Sequence, residues 1–241
     1  MKSMQTILTL CAALLLAGQS SHAGERVLLS GSTTELINWP SIAAVRGDIL
    51  ISENSAKLSL ASGSSPWRAL LRSPEKSFPA GNGSLVIEVT NIMFGGLPGE
   101  KGSNDFFVLL GDNPESKQVA DFYPLALAEG VSFNFLRKRT GYELLVFPGR
   151  SDKVGEQRHE LNTVPTAFTL TIDYDSATWT IELKDAFFFE SESATLSGSL
   201  PRVTFGMDTM AYLGVGILNW GEVAEGTTVG FGGLRVLHLQ P

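Results

Sequence analysis

The chain has 241 residues, a formal net charge of −7 at pH 7, 25 glycines, 11 prolines and one cysteine. So acidic a chain lacks the cationic surface that attracts nucleic acid, so we expect no nucleic-acid partner, and anionic membranes are disfavoured for the same reason. The single cysteine, Cys11, cannot form an intramolecular disulfide, so the fold has to rest on its own hydrophobic core.

The first 23 residues have the pattern of a secretory signal peptide. Lys2 precedes the apolar stretch 7–17, which is shorter than the roughly 20 residues of a membrane span. Small and polar residues follow and end at Ala23, where we predict cleavage. Cleavage removes Lys2 and Cys11 and takes the net charge from −7 to −8. No later segment has the length and hydropathy of a membrane anchor, so the mature chain is expected to be exported, periplasmic or extracellular, without an integral membrane segment.

Strand signals recur along the mature residues 24–241, and no helical period does. Apolar residues alternate with polar ones, which is the pattern of a strand with one buried face. The run 106–110 is apolar throughout, which predicts a central strand covered on both faces. In chain order the predicted strands lie at 49–51, 58–60, 68–71, 85–90, 106–110, 131–135, 142–147, 168–174, 179–183, 203–207 and 212–218.

The clearest pattern is a hairpin over 168–183, in which two alternating runs flank a polar loop at 175–178. Glycines and prolines fall mainly between the predicted strands, as expected for many tight turns. No linker or repeat divides the chain. We therefore predict an all-β protein with one domain at 24–241, a two-sheet antiparallel β-sandwich of the jelly-roll type, in which the stretch 24–39 adds an edge strand or crosses one end.

Three segments resemble the concanavalin A-like lectin/glucanase superfamily, the jelly roll that laminin-G-like domains also use. They are 78–89, where these domains begin their front sheet, the hairpin 168–183, and the glycine-containing strands 212–217 and 230–236. The resemblance implies glycans bound on a concave sheet or at loop ends, sometimes with calcium, and in some branches hydrolysed or eliminated. It concerns the architecture more than any one activity.

The acidic motif of the hydrolases in this superfamily, E-x-D-x-x-E, is absent. The pair Glu190 and Glu192 comes nearest, and we expect it in a solvated loop. The lyases use Gln, His, Tyr and Arg, and Tyr142, Arg158 and His159 offer such residue types. Adjacent residues of a strand point to opposite faces, however, and the polar sequence around 151–156 favours an exposed loop.

Metal binding has few candidate ligands. The mature chain has two histidines and no cysteine, which disfavours zinc. Asn104-Asp105 and Asp112-Asn113 bracket the run 106–110 and carry oxygen atoms of the kind that calcium takes, yet such residues are common in turns. We expect no cofactor and leave calcium as the open alternative.

Exposed aromatic rings stack on the apolar faces of sugars, so tryptophans at turns are the best indication of a glycan site. Trp220 follows Asn219 in a predicted turn at the rim of the sandwich, and Trp67 lies near Pro66; Trp179 lies on the buried phase of its hairpin. The predicted ligand-binding residues are therefore Trp220, Asn219, Trp67, Tyr142, Arg158 and His159. The sequence favours a non-catalytic module that binds glycan or polysaccharide, or an adhesive module, over a polysaccharide lyase or glycoside hydrolase, or a structural envelope protein with no small ligand.

Overall fold

A computed structural model of the chain describes residues 24–44, 47–60, 63–64, 67–96, 98, 102–111, 130–147, 156–200, 210–220, 222–223 and 227–240. The predicted signal peptide at 1–23, Asp112-Asn113 and the strand predicted at 203–207 lie outside these ranges. Within them no helix has the length and hydropathy needed to cross a bilayer.

The described residues form short strands and one 3₁₀ helix, Thr33–Leu36, which Ser32 caps. In chain order the strands are β1 (Glu25–Ser30), β2 (Ser41–Ala44), β3 (Gly47–Ser52), β4 (Ser55–Leu60), β5 (Gly63–Ser64), β6 (Trp67–Arg72), β7 (Phe78–Pro79), β8 (Ser84–Thr90), β9 (Met93–Gly95), β10 (Ser103–Gly111), β11 (Gly130–Lys138), β12 (Tyr142–Phe147), β13 (Gln157–Leu161), β14 (Ala167–Asp173), β15 (Thr178–Lys184), β16 (Thr195–Ser199), β17 (Met210–Trp220), β18 (Glu222–Val223), β19 (Thr228–Phe231) and β20 (Gly233–Leu239).

Two antiparallel sheets form the sandwich. Sheet A has the order β1-β20-β8-β14-β15-β16, and sheet B the order β13-β12-β11-β10-β17-β6-β2, with β7 paired to β17. A smaller sheet, sheet C, has the order β3-β4-β19-β9, and β18 pairs with β5. All the registered strand pairs within these sheets are antiparallel, which confirms the predicted all-β sandwich.

Aromatic rings from both sheets meet in the core. Phe135 of sheet B lies 4.8 Å from Phe168 of sheet A between ring centroids, and Phe133 lies 5.5 Å from Trp179 in a T-shaped contact. Phe231 of sheet C lies 5.9 Å from Phe106. The three sheets therefore share one continuous core, and burial of this apolar surface is the main stabilising term of the fold.

Most predicted strands are present. The hairpin is β14 and β15, with a loop at 174–177 that starts one residue earlier than predicted. The apolar run 106–110 lies in β10, at the centre of sheet B with every residue buried, as predicted. The stretch 24–39 supplies the edge strand β1 of sheet A.

Three local predictions differ from the structure. The segment 78–89, expected as one strand of a front sheet, contains β7, which pairs with sheet B, and part of β8, which lies inside sheet A. The bends at 81–83, where Gly83 has a φ of 66°, separate them. Arg158 and His159, expected in an exposed loop, lie in the edge strand β13. Finally, β17 continues through Asn219 and Trp220, where we predicted a turn.

Candidate functional site

The outer face of sheet B, which is turned away from the core, is apolar and closed at its centre. Leu70, Phe107 and Leu218 form one buried cluster there with Leu109, and none is more than 3% exposed. A second buried cluster on the same face contains Leu136, Leu145 and Phe147. Because these side chains are buried, the centre of this face offers no exposed aromatic ring on which a sugar could stack.

A charged cluster lies on the same face near the β13 edge. Lys138 Nζ and Arg158 Nη1 both donate to Glu143, at 2.5 and 2.8 Å. Arg158 also donates to Glu156. Glu143 is 16% exposed and Arg158 is 49% exposed, so the cluster grades from half-buried to exposed as it approaches the edge.

Asp105 lies in the same cross-strand row as Glu143, with Leu136 between them. Burial removes water from its carboxylate and raises its pKa to about 7, while a hydrogen bond with Ser103 and the charge of Lys138 act in the opposite direction. Within the described part of the chain its Oδ1 has no hydrogen-bond partner, and neither has Nδ2 of the buried Asn134. Asp105 is only 2% exposed, so it cannot contact a ligand in solution directly.

A loop after β15 extends sheet B beyond β13. Leu161 forms an isolated antiparallel bridge with Phe188. The backbone N–H of Asn162 donates to Phe187 O at 3.1 Å, and that of Phe189 donates to Glu160 O at 3.0 Å. The side-chain Oδ1 of Asn162 accepts a further bond from Phe187 N at 2.7 Å. The loop is thereby fastened to the edge strand at three consecutive residues.

This register gives the three consecutive phenylalanines alternate environments. Phe188 is fully buried on the core side, whereas Phe187 and Phe189 are 36% and 56% exposed. The rows of the outer face continue from Glu143 through Glu160 to Phe189. The two exposed rings lie 5.8 Å apart at an interplanar angle of 78°. They form a right-angled aromatic corner beside the charged cluster.

We call Arg158, Glu160, Phe187 and Phe189 the edge site. Sequence reasoning missed its aromatic half, because the run of three phenylalanines shows no alternation against polar residues. A usable signal was present in that run, since it is followed directly by Glu190-Ser191-Glu192.

His159 supports the edge site from the core side. Its ring makes T-shaped contacts with Trp179 at 6.4 Å and with Phe188 at 6.1 Å between centroids. Its Nδ1 is hydrogen-bonded to the carboxylate of Glu190. The histidine therefore holds both the buried anchor Phe188 and the turn that follows the exposed rings.

Of the predicted ligand-binding residues, Arg158, His159 and Tyr142 lie on neighbouring strands but not on one face. Arg158 is on the outer face of sheet B, whereas His159 packs against Trp179 on the core side. Tyr142 is partly buried and packs against the core. The structure thus separates the arginine from the histidine and tyrosine that a lyase would need together.

Trp220, Asn219 and Trp67 are placed by their backbone pairing. Position 219 pairs with position 67 on β6 and with Asn104 on β10. Position 220 pairs with Ser103, which in turn pairs with Lys138, so it belongs to a row of the outer face. Four inter-strand steps of about 4.8 Å separate β17 from β13 and a fifth leads to β6, so Asn219 and Trp220 lie about 19 Å from β13 and Trp67 about 24 Å from it.

Metal ligation has little support among the described residues, where no group of three or more His, Cys, Asp or Glu side chains is placed to hold an ion. Asn104 and Asp105 belong to β10 itself and are buried, whereas we expected them just before the strand.

A shallow open depression of about 330 Å³ lies on the other sheet, over β8, β14 and β15. Glu88, Thr169, Glu182 and Lys184 contribute to its lining. The exposed rings of Phe187 and Phe189 are not part of it, and Phe168, which contributes to its lining, is buried.

The sequence matches no protein-family model, and no curated protein is similar to it in sequence. The structure, in contrast, is similar to solved structures. A legume lectin-like domain from Entamoeba histolytica superposes with a TM-score of 0.50 at 12% identity, covering 84% of this chain and 91% of that one. The carbohydrate recognition domain of Emp46p, in its potassium-bound form, superposes with a TM-score of 0.51 at 13% identity over 85% of this chain and 90% of that one.

Arcelin-5, a lectin-like defence protein from Phaseolus vulgaris, superposes with a TM-score of 0.52 at 12% identity. The match covers 91% of this chain and 100% of arcelin-5. At such low identity these similarities establish architecture and not activity. The chain therefore has the concanavalin A-like jelly-roll fold of the legume lectin-like domains, as the resemblance in its sequence predicted.

Proposed function

We propose that this protein is an exported, non-catalytic module that binds carbohydrate at the edge site. The observation that carries the proposal is the exposed Phe187–Phe189 corner beside Arg158 and Glu160, on the same side of sheet B. A pyranose presents an apolar C–H face to an aromatic ring and hydroxyl groups around its rim. The phenylalanine rings can stack on the apolar face of the sugar, and Arg158 and Glu160 can form hydrogen bonds with its hydroxyl groups.

Rigidity supports this assignment. The loop that carries the rings has backbone bonds to β13, a buried anchor in Phe188 and a side-chain bond between Glu190 and His159. Because the rings are already held in place, binding does not have to order them, and preorganisation of this kind raises affinity. The fold shared with a carbohydrate recognition domain is consistent with the same use.

Catalysis is less well supported. Arg158 and His159 lie on opposite faces of β13, so Tyr142, His159 and Arg158 do not converge for an elimination. Asp105 and Glu143 share a row, but a general acid must contact its substrate and Asp105 is buried.

The test is a glycan array with soluble polysaccharides, followed by calorimetry on any ligand found. Phe189→Ala and Phe187→Ala are each expected to weaken binding about tenfold or more, since each removes a stacking ring. Leu50→Ala is the matched control, because Leu50 is 67% exposed but lies in sheet C. Undiminished binding in the Phe189→Ala protein would refute the assignment to this site.

Trp220→Ala distinguishes the edge site from the site predicted by sequence. Position 220 lies on β17, four strands away from β13. We expect this variant to bind normally. Loss of binding in Trp220→Ala, with normal binding in Phe189→Ala, would move the glycan to the β17 end of sheet B.

A further inference from the structure

The edge site is acidic as well as aromatic. Glu160 lies on β13, next to the loop that carries the two exposed rings. Further charged residues lie within a few positions of Phe187 and Phe189 in the sequence. The carboxylates nearest to the rings are those of Glu160, which lies opposite Phe189, and of Glu190 and Glu192 in the turn that follows Phe189; Glu190 is bonded to His159.

Lys138 and Arg158 are bonded to carboxylates other than those of Glu160 and Glu192. Lys138 is bonded to Glu143, and Arg158 divides its guanidinium between Glu143 and Glu156. These two cations and two anions balance one another. The carboxylates around the rings therefore set the local potential, which repels uronates, sulfated glycans and anionic lipid surfaces.

The two exposed rings also favour a cation over an anion. The face of a phenylalanine ring carries negative electrostatic potential and attracts a cation that lies over it. Phe187 and Phe189 are both exposed and in T-shaped contact, so each can offer part of a ring face to such a group. A protonated amine is the group that both the ring faces and the surrounding carboxylates stabilise.

We propose that the ligand of the edge site is an amino-sugar polymer in which at least some sugars carry a free, protonated amine. This inference rests on the proposed function, because it takes the occupant to be a glycan. One exposed ring stacks on the sugar face, and the amine lies against the second ring within reach of Glu160 or Glu192. A neutral polymer keeps the first contact and lacks the second.

The experiment compares three oligosaccharides of equal length by titration calorimetry at mildly acidic pH: β-1,4-linked glucosamine, its fully N-acetylated equivalent and galacturonate. N-acetylation removes the charge and leaves the backbone of the sugar chain unchanged. We expect the glucosamine oligomer to bind about tenfold more tightly than the acetylated one at low salt, with the difference shrinking as salt rises. The galacturonate oligomer is expected not to bind.

Glu160→Gln tests the electrostatic part, since glutamine keeps the size of the side chain. It is expected to lower affinity for the glucosamine oligomer several-fold more than affinity for the acetylated one. Glu53→Gln is the control, because Glu53 is exposed in the turn between β3 and β4, in sheet C.

The outcomes separate the two proposals. If both oligomers bind equally and Phe189→Ala weakens both, the preference for amines is refuted and carbohydrate binding at the edge site stands. Tighter binding of galacturonate likewise refutes the preference. If Phe189→Ala changes neither affinity, the edge site itself is wrong. Displacement of the glucosamine oligomer by an equal concentration of a lysine-rich peptide would show a general site for amines and overturn the assignment to a sugar.

Discussion

The indole ring of Trp179 lies directly over Gly198 on the neighbouring edge strand β16. A Cβ built on Gly198 would lie 2.6 Å from Cε2 and Cζ2 of the indole. Trp179 is 1% exposed and contacts Phe133, so the ring has little room to move. We expect Gly198→Ala to lower the free energy of unfolding by about 1–3 kcal/mol, as overpacking of a core does. Urea denaturation followed by tryptophan fluorescence measures the loss.

Gly141→Ala provides the control for that substitution. Gly141 lies between β11 and β12, and nothing lies within 4 Å of a Cβ placed there. Its replacement is expected to change stability by less than about 0.5 kcal/mol. Equal effects at positions 141 and 198 would contradict the close contact between Gly198 and the indole.

Asp105 predicts a pH dependence of stability. Its pKa is raised from 3.8 to about 7 in the folded protein, chiefly because burial removes water from the carboxylate. Between these values the folded state keeps a proton that the unfolded chain releases, so this contribution is fully present below 3.8 and is lost as pH rises through about 7. The free energy of unfolding should therefore fall over this range, by at most about 4 kcal/mol.

Asp105→Asn removes the titrating group. The variant should show a flatter stability profile and be more stable than the wild type above about pH 7, as urea midpoints across the pH range would show. Glu53→Gln, which replaces an exposed acid, should keep the wild-type slope. Parallel profiles for Asp105→Asn and the wild type would contradict a raised pKa.

His159 is predicted to hold the loop of the edge site. His159→Ala leaves a gap between Trp179 and Phe188 and frees Glu190, so we expect a loss of about 1–3 kcal/mol in stability. The amide protons of Phe188 and Phe189 should exchange faster with solvent, because both bond within this loop or to β13.

His238→Ala is the matched control for that variant. His238 is 4% exposed and bonds to Asn82 O at a different edge of the molecule. This change should also lower stability. It should not, however, speed the exchange of the Phe188 and Phe189 amides that occurs by local opening of the loop. Faster exchange of those amides in both variants would show that His159 acts only through overall stability.

The proposed export and signal-peptide cleavage predict the N-terminus of the mature protein. Protein recovered from the periplasm or culture medium should begin at Gly24, as N-terminal sequencing or intact mass would show. Ala23→Leu places a large residue where a small one is needed and should leave the precursor uncleaved. A mature protein that retains Lys2 would refute the predicted cleavage.

The fold could be predicted from the sequence where a strand has one buried face and one solvent-exposed face. The alternation at 168–174 and 85–90 predicts which side chains enter the core, and the structure buries Phe168, Leu170 and Leu85 accordingly. The alternation of apolar and polar residues indicates a strand that is buried on one face only. It therefore failed at β13, where Arg158 and His159 both look polar although one lies on the outer face and the other packs on the core.

The edge site could not be predicted in the same way. Its two rings come from the loop after β15, whereas Arg158 and Glu160 come from β13, and only the bridge between Leu161 and Phe188 brings them together. That pairing depends on tertiary contacts, the contact of His159 with Phe188 among them. The charged cluster was missed for a similar reason, since Lys138, Glu143 and Arg158 belong to three different strands.

The loop that fastens onto β13 also bears on solubility. β13 ends sheet B, and a free edge strand is a template on which another chain can add by backbone pairing. Phe187 and Phe189 occupy the hydrogen-bonding groups of Asn162 and Glu160 that such a chain would use. The short segment that exposes two aromatic rings therefore also blocks the addition of another chain at this part of the β13 edge, which protects the protein from aggregation at high concentration.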